Sequence, residues 1–72
     1  MRMISELQRD IIGFFRATRY NAADLARSAG VSRELISALK NGYKPSCSET
    51  YEAKIREGIR KLTREWQAKE GR

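Results

Sequence analysis

Three residues, Gly30, Gly42 and Pro45, divide the middle of this chain. The stretch AADLARSAGVSRELISALKNG, residues 22–42, places Leu25 and Ala26 before the first glycine and Val31, Ile36 and Leu39 after it. These apolar residues, with exposed polar ones between them, form two short helical patterns around the first glycine, each with one buried face. A glycine at the end of such a pattern supplies a left-handed C-terminal turn. The residue before a proline is pushed out of helical geometry. The chain is therefore committed to short helices that cannot persist alone and must pack on one another.

The rest of the sequence continues the pattern. Ser5 stands three residues before Gln8, a spacing that allows a capping box, and Leu7, Ile11, Phe14 and Phe15 then mark one apolar face. This helix fades at Arg19 and Tyr20. Asn21 is an N-cap for the next, with Asp24 in its first turn favoured by the helix dipole. Ser32 caps the third helix, and Lys44-Pro45-Ser46 forms the one linker-like stretch. Either Ser46 or Ser48 can cap the last helix, where Tyr51, Ile55, Ile59, Leu62 and Trp66 draw a single stripe. Phe14, Phe15 and Tyr51 read as core. The expected fold is all-α: one domain over residues 1–72, with three short helices and a long amphipathic helix over about 48–69.

A chain of 72 residues is near the lower limit at which a core holds without staples. Cys47 is the sole cysteine and there is no histidine, which excludes an internal disulfide and argues against a conventional zinc site. No cofactor and no small-molecule ligand is expected. Catalysis would most naturally use histidine as acid or base, and no glycine-rich phosphate loop occurs, so the chain does not read as an enzyme. A reducing cytoplasm is the expected compartment. No apolar run approaches the roughly 20 residues of a membrane span. The start, MRMISELQRD, lacks the apolar centre of a secretory signal and is expected to belong to the fold.

Charge points to a partner. The chain carries 15 Lys and Arg against 9 Asp and Glu, a net charge of +6, which favours an anionic surface such as nucleic acid. The surplus is concentrated over residues 16–44, where Arg16, Arg19, Arg27, Arg33, Lys40 and Lys44 face only Asp24 and Glu34. From Ala26 the pattern runs alanine, three residues, glycine, an apolar residue and a capping serine, then Ile36 and a closing glycine. Ala26 is small where a second helix crosses it. Val31, Ile36 and Leu39 anchor the following helix and leave Arg33, Glu34, Ser37 and Ala38 on its outer side. That is the arrangement of a helix-turn-helix over residues 22–41, whose second helix enters the major groove.

The stretch DLARSAGVSRELISALKNG resembles the helix-turn-helix of the lambda repressor and Cro-like regulators, and the likeness covers about residues 5–45. The resemblance implies a compact helical DNA-binding domain, dimeric on an operator with two half-sites. Carried across position by position, it makes Arg33, Glu34, Ser37 and Ala38 base-contacting and Asn41 a phosphate contact. Ala22, at the start of the preceding helix, has no side-chain donor for the contact that position often makes. Leu35 departs from the small polar residue usual there, and suits a thymine methyl or a subunit contact. A single long helix beyond Pro45 is a second departure, so the mode of dimerisation does not transfer.

Arg33 can fork onto guanine O6 and N7, and Glu34 can accept from cytosine N4 or simply favour the helix dipole. Ser32, Lys40, Asn41, Tyr43 and Lys44 suit phosphate contacts that fix register. Ile59, Leu62 and Trp66 form the expected dimer seam, with packing of the stripe onto the first helix as the alternative. The reading is a sequence-specific, homodimeric regulator of transcription, most simply a repressor, acting on double-stranded DNA in a bacterial or phage-infected cell. The alternative is an antitoxin-like or adaptor protein whose long helix binds another protein. A membrane-surface helix is weighed against by Glu49, Glu52, Glu57, Glu65 and Glu70.

Overall fold

The computed structural model describes residues 5–44 and 47–70, and at Glu70 only the backbone. The described residues form four helices: α1 (Glu6–Ala17), α2 (Ala22–Ala29), α3 (Arg33–Asn41) and α4 (Glu49–Glu70). Their ends are set locally, mostly by the expected residues. Ser5 Oγ accepts from the Gln8 N–H at 3.0 Å, and Ser32 Oγ accepts from the Leu35 N–H at 3.1 Å. Asn21 and Asp24 form a full reciprocal capping box, each side chain accepting from the other's backbone N–H. Such caps are each worth about 1 kcal/mol. Ser48 supplies the cap of α4, accepting from the Tyr51 N–H at 3.3 Å. The alternative cap Ser46 and the expected helix stop at Pro45 lie outside the described residues.

Both glycines end their helices in the left-handed region, Gly30 at φ 76° and Gly42 at φ 81°. At Gly30 the N–H groups of Gly30 and Val31 both reach the Ala26 carbonyl, at 2.8 and 3.0 Å. This closes α2 and turns the chain sharply into α3.

One core joins all four helices. Leu7, Ile11 and Phe14 of α1 meet Leu25, Ala26 and Ala29 of α2, Ile36 and Leu39 of α3, and Ile55 and Leu62 of α4. The side chains of Ile11, Leu25, Ile36, Leu39 and Ile55 are fully buried, each contributing roughly 1.5–3 kcal/mol relative to exposure. Helix α2 lies against α3 and α4, while α1 supports α3 from the other side and touches α4. Among the described residues, α3 thus rests on the helices α1 and α2, and Arg33, Glu34, Ser37, Lys40 and Asn41 of α3 stay exposed.

One expectation about this core is corrected, and the structure refines two others. Tyr51 is exposed rather than core; it lies one turn before Ile55, the first buried residue of α4. Phe15 is half-buried at the core's edge. The stripe expected to form a dimer seam is largely used within the chain. Leu62 is buried among its own helices, and the half-buried Trp66 sets its ring edge-on to Tyr20 at 5.9 Å. Tyr20 in turn stacks on Phe14 at 6.0 Å. These three aromatics extend the core along α4 further than so small a chain was expected to reach. Ile59 remains half-buried, beside Gly13 and Phe14 in the groove between α1 and α4.

Candidate nucleic-acid interface

Helix geometry places 3.6 residues in each turn, so the positions flanking Ile36 and Leu39 divide α3 into two faces. Ile36 and Leu39 point into the core. Arg33, Glu34, Ser37, Lys40 and Asn41 are exposed on the other side, and Ala38 and Leu35 are half-buried along one edge. The structure therefore gathers the expected base-contacting residues onto the accessible part of α3, with Ala38 on its margin. Arg33, Glu34, Ser37 and Asn41 make no side-chain hydrogen bond or ion pair to another of the described residues. Their polar groups meet solvent.

The ends of α3 are fixed by its neighbours. Ser32 spends one lone pair on capping, but its hydroxyl proton can still donate outward. At the far end the Gln8 side chain of α1 donates from Nε2 to the Lys40 carbonyl at 3.0 Å. The capping-box spacing suggested that this amide would turn back to Ser5. It crosses to α3 instead, because the open carbonyls ending that helix need donors. Sequence spacing alone did not reveal this brace. The Lys44 N–H then reaches the Ala38 carbonyl at 3.2 Å, folding the exit loop back beneath the helix.

Around this exit, Lys40 holds its ammonium over the Phe15 ring at 5.4 Å from the centroid. Tyr43 is 84 % exposed, and Lys44 is exposed beside it. A tyrosine so uncovered contributes little to the core and leaves its phenol available to a partner.

Charge is partitioned between the two sides of the molecule. Arg56 of α4 gathers Glu6, Asp10 and Glu52 around its guanidinium, and Arg60 pairs with Glu57. The hydrogen bonds that Arg56 donates to Asp10 and Glu52 push its pKa up, so the guanidinium stays charged. Asp24 is occupied by its capping box. Among the described residues, Arg27, Arg33, Lys40 and Lys44 form no ion pair, and Glu34 is the one acid on α3. Solvated pairs like those of Arg56 add little stability, but they remove negative charge from the field around α3.

No helix of the described residues is long and apolar enough to cross a membrane. Comparison of the chain with protein-family profiles, with curated proteins and with solved structures finds no match in any of the three.

Proposed function

We propose that this protein is a sequence-specific double-stranded DNA-binding regulator whose α3 lies in the major groove. The observation that carries the reading is the state of α3. It is capped at Ser32, closed at Gly42 and braced by Gln8, yet it presents Arg33, Glu34, Ser37 and Asn41 without internal partners. A helix held at both ends with an unsatisfied polar face suits groove readout, where side chains must be positioned before contact. The resemblance of residues 5–45 to lambda repressor and Cro-like domains supports the same reading.

In this account Arg33 reads a guanine and Glu34 accepts from an exocyclic amine, with Ser37 and Ala38 completing the base contacts. Ser32, Lys40, Asn41, Tyr43 and Lys44 hold phosphates and set register. Binding as a homodimer, and repression by occluding a promoter, belong to the same proposal. Leu62 is buried within the chain, so a subunit seam on this stripe would use the half-buried Ile59 and Trp66.

The test is selection of bound sites from random double-stranded DNA, followed by competition with scrambled DNA. A recurring site that survives excess competitor supports the reading. Retention of random fragments alone, with no enriched sequence, refutes sequence-specific recognition.

A further inference from the structure

A groove of about 410 Å³ runs between α1 and α4. It lies on the far side of α1 from α3. Gln8 and Phe15 of α1 face α3, where both meet Lys40. Gly13 sits about 200° around the helix axis from Phe15 and lines the groove with Phe14, Ala17, Ile59 and Thr63. Helix α4 packs mainly on α2, so the floor of the groove stays uncovered. Ile59 is half-buried, and a Cβ added to Gly13 would meet nothing within 4 Å.

Charge is uneven around this floor. At one end Glu6 and Asp10 are taken up by Arg56, together with Glu52. Elsewhere the rims are cationic. Arg9 and Arg16 stand one turn to either side of Gly13 on α1, and Arg60 lines the groove on α4 with Arg64 one turn further on. All four are exposed. Arg60 holds a solvated pair with Glu57, and among the described residues Arg9, Arg16 and Arg64 form no ion pair.

We infer that this groove docks an acidic amphipathic helix of another protein, whatever α3 holds. An apolar floor walled by arginines fits a helix with apolar residues at i, i+3, i+4 and i+7 and carboxylates beside them. A two-fold interface sets each patch against itself, so a second copy would oppose these arginines with its own. A nucleic-acid backbone would match the arginines but leave Ile59 and Ala17 without an apolar partner. Because the groove and the exposed face of α3 lie on different sides of α1, both can be occupied at once.

The experiment is selection, by the full chain, from a library of helical peptides. Their apolar spacing is fixed, and their flanking positions vary between glutamate and lysine. Glutamate flanks should be enriched. The best peptide should bind Gly13→Leu at least about tenfold more weakly, because the leucine fills the floor. Arg16→Glu combined with Arg64→Glu, on the exposed rims, should weaken it about three- to tenfold. This second variant serves if Gly13→Leu fails to fold. No enrichment, or undiminished binding by the folded variants, overturns the inference. Displacement of the peptide by excess duplex DNA would assign the arginines to nucleic acid instead. Loss of a dimer in sedimentation at saturating peptide would assign Ile59 to a subunit seam. Either result overturns the inference, and none of them bears on whether α3 selects a DNA site.

Discussion

Gly58 of α4 and Ala29 of α2 meet so closely that a carbon added between them would force a shift of a few tenths of an ångström. A Cβ built on Gly58 would lie 3.0 Å from the Ala29 Cβ, 3.1 Å from its backbone nitrogen and 3.2 Å from its Cα. Backbone atoms cannot rotate aside, so this contact sets how closely α4 approaches α2.

Two glycine substitutions should therefore act in opposite directions. Alanine is favoured over glycine inside a helix by about 1 kcal/mol. At Gly13, where nothing stands within 4 Å of an added Cβ, Gly13→Ala should stabilise by up to that amount. At Gly58 the same gain is set against overpacking, which costs about 1–3 kcal/mol, and a clash with backbone takes the upper part of that range. Gly58→Ala should lower the urea midpoint while Gly13→Ala raises it. A rise for both would show that α4 shifts freely and that the contact constrains nothing.

The stripe on α4 allows a second prediction. Leu62 is buried within the chain, so Leu62→Ala should destabilise the isolated domain by about 2–5 kcal/mol. Trp66→Ala should cost less, because the indole is half-buried and leans on Tyr20 alone among the aromatics. If these residues held a dimer instead, the melting temperature of the wild type would rise with protein concentration and that dependence would vanish in the variants. Each variant would then stay folded as a monomer. Thermal melts across a range of concentrations distinguish the two outcomes.

The Tyr20 hydroxyl is buried without a hydrogen-bond partner among the described residues. Leaving such a group unpaired costs about 1–3 kcal/mol, so Tyr20→Phe should be neutral or stabilising while keeping both ring contacts. A loss of 1 kcal/mol or more in chemical denaturation would mean that the hydroxyl is bonded.

What could be read from the sequence was the local chemistry. Asn21, Ser32, Gly30 and Gly42 act within one turn of their own position, so their types announce their roles. The apolar period located Ile11, Leu25, Ile36, Leu39 and Ile55 for the same reason. What escaped depends on the approach of distant segments. The Gly58–Ala29 contact, the Tyr20–Trp66 pair and the crossing of the Gln8 amide to Lys40 leave no periodic trace. Tyr51 misled because a stripe shows which residues share a face, but not where the neighbouring helix begins. The outward face of α3 was legible because burying Ile36 and Leu39 fixes the helix's rotation.

Cys47 is half-buried, and its thiol pKa is raised above the ordinary 9.0, first by desolvation and then by Glu52, against a smaller opposing effect of Lys44. A raised pKa leaves less thiolate at neutral pH, and the thiolate is the reactive form. Cys47 should thus react with iodoacetamide more slowly than free cysteine at pH 8, the gap narrowing as pH climbs past the free thiol's pKa. Faster reaction than free cysteine at pH 8 would contradict the assignment.

The central claim is that α3 reads bases while its exit loop holds phosphates, and one set of binding curves addresses it most directly. Wild type, Arg33→Ala and Lys44→Ala are titrated onto a selected site and onto scrambled DNA over a range of salt. Arg33→Ala should lose about 1–3 kcal/mol on the selected site, far less on scrambled DNA, and relax preference at one base pair per half-site. Lys44→Ala should weaken both DNAs alike and reduce the salt slope by about one per subunit. Neither residue is in the core, so the melting temperature should hardly move. Equal losses on both DNAs for Arg33→Ala, or wild-type binding that ignores salt, would contradict the assignment of α3 as the reading helix.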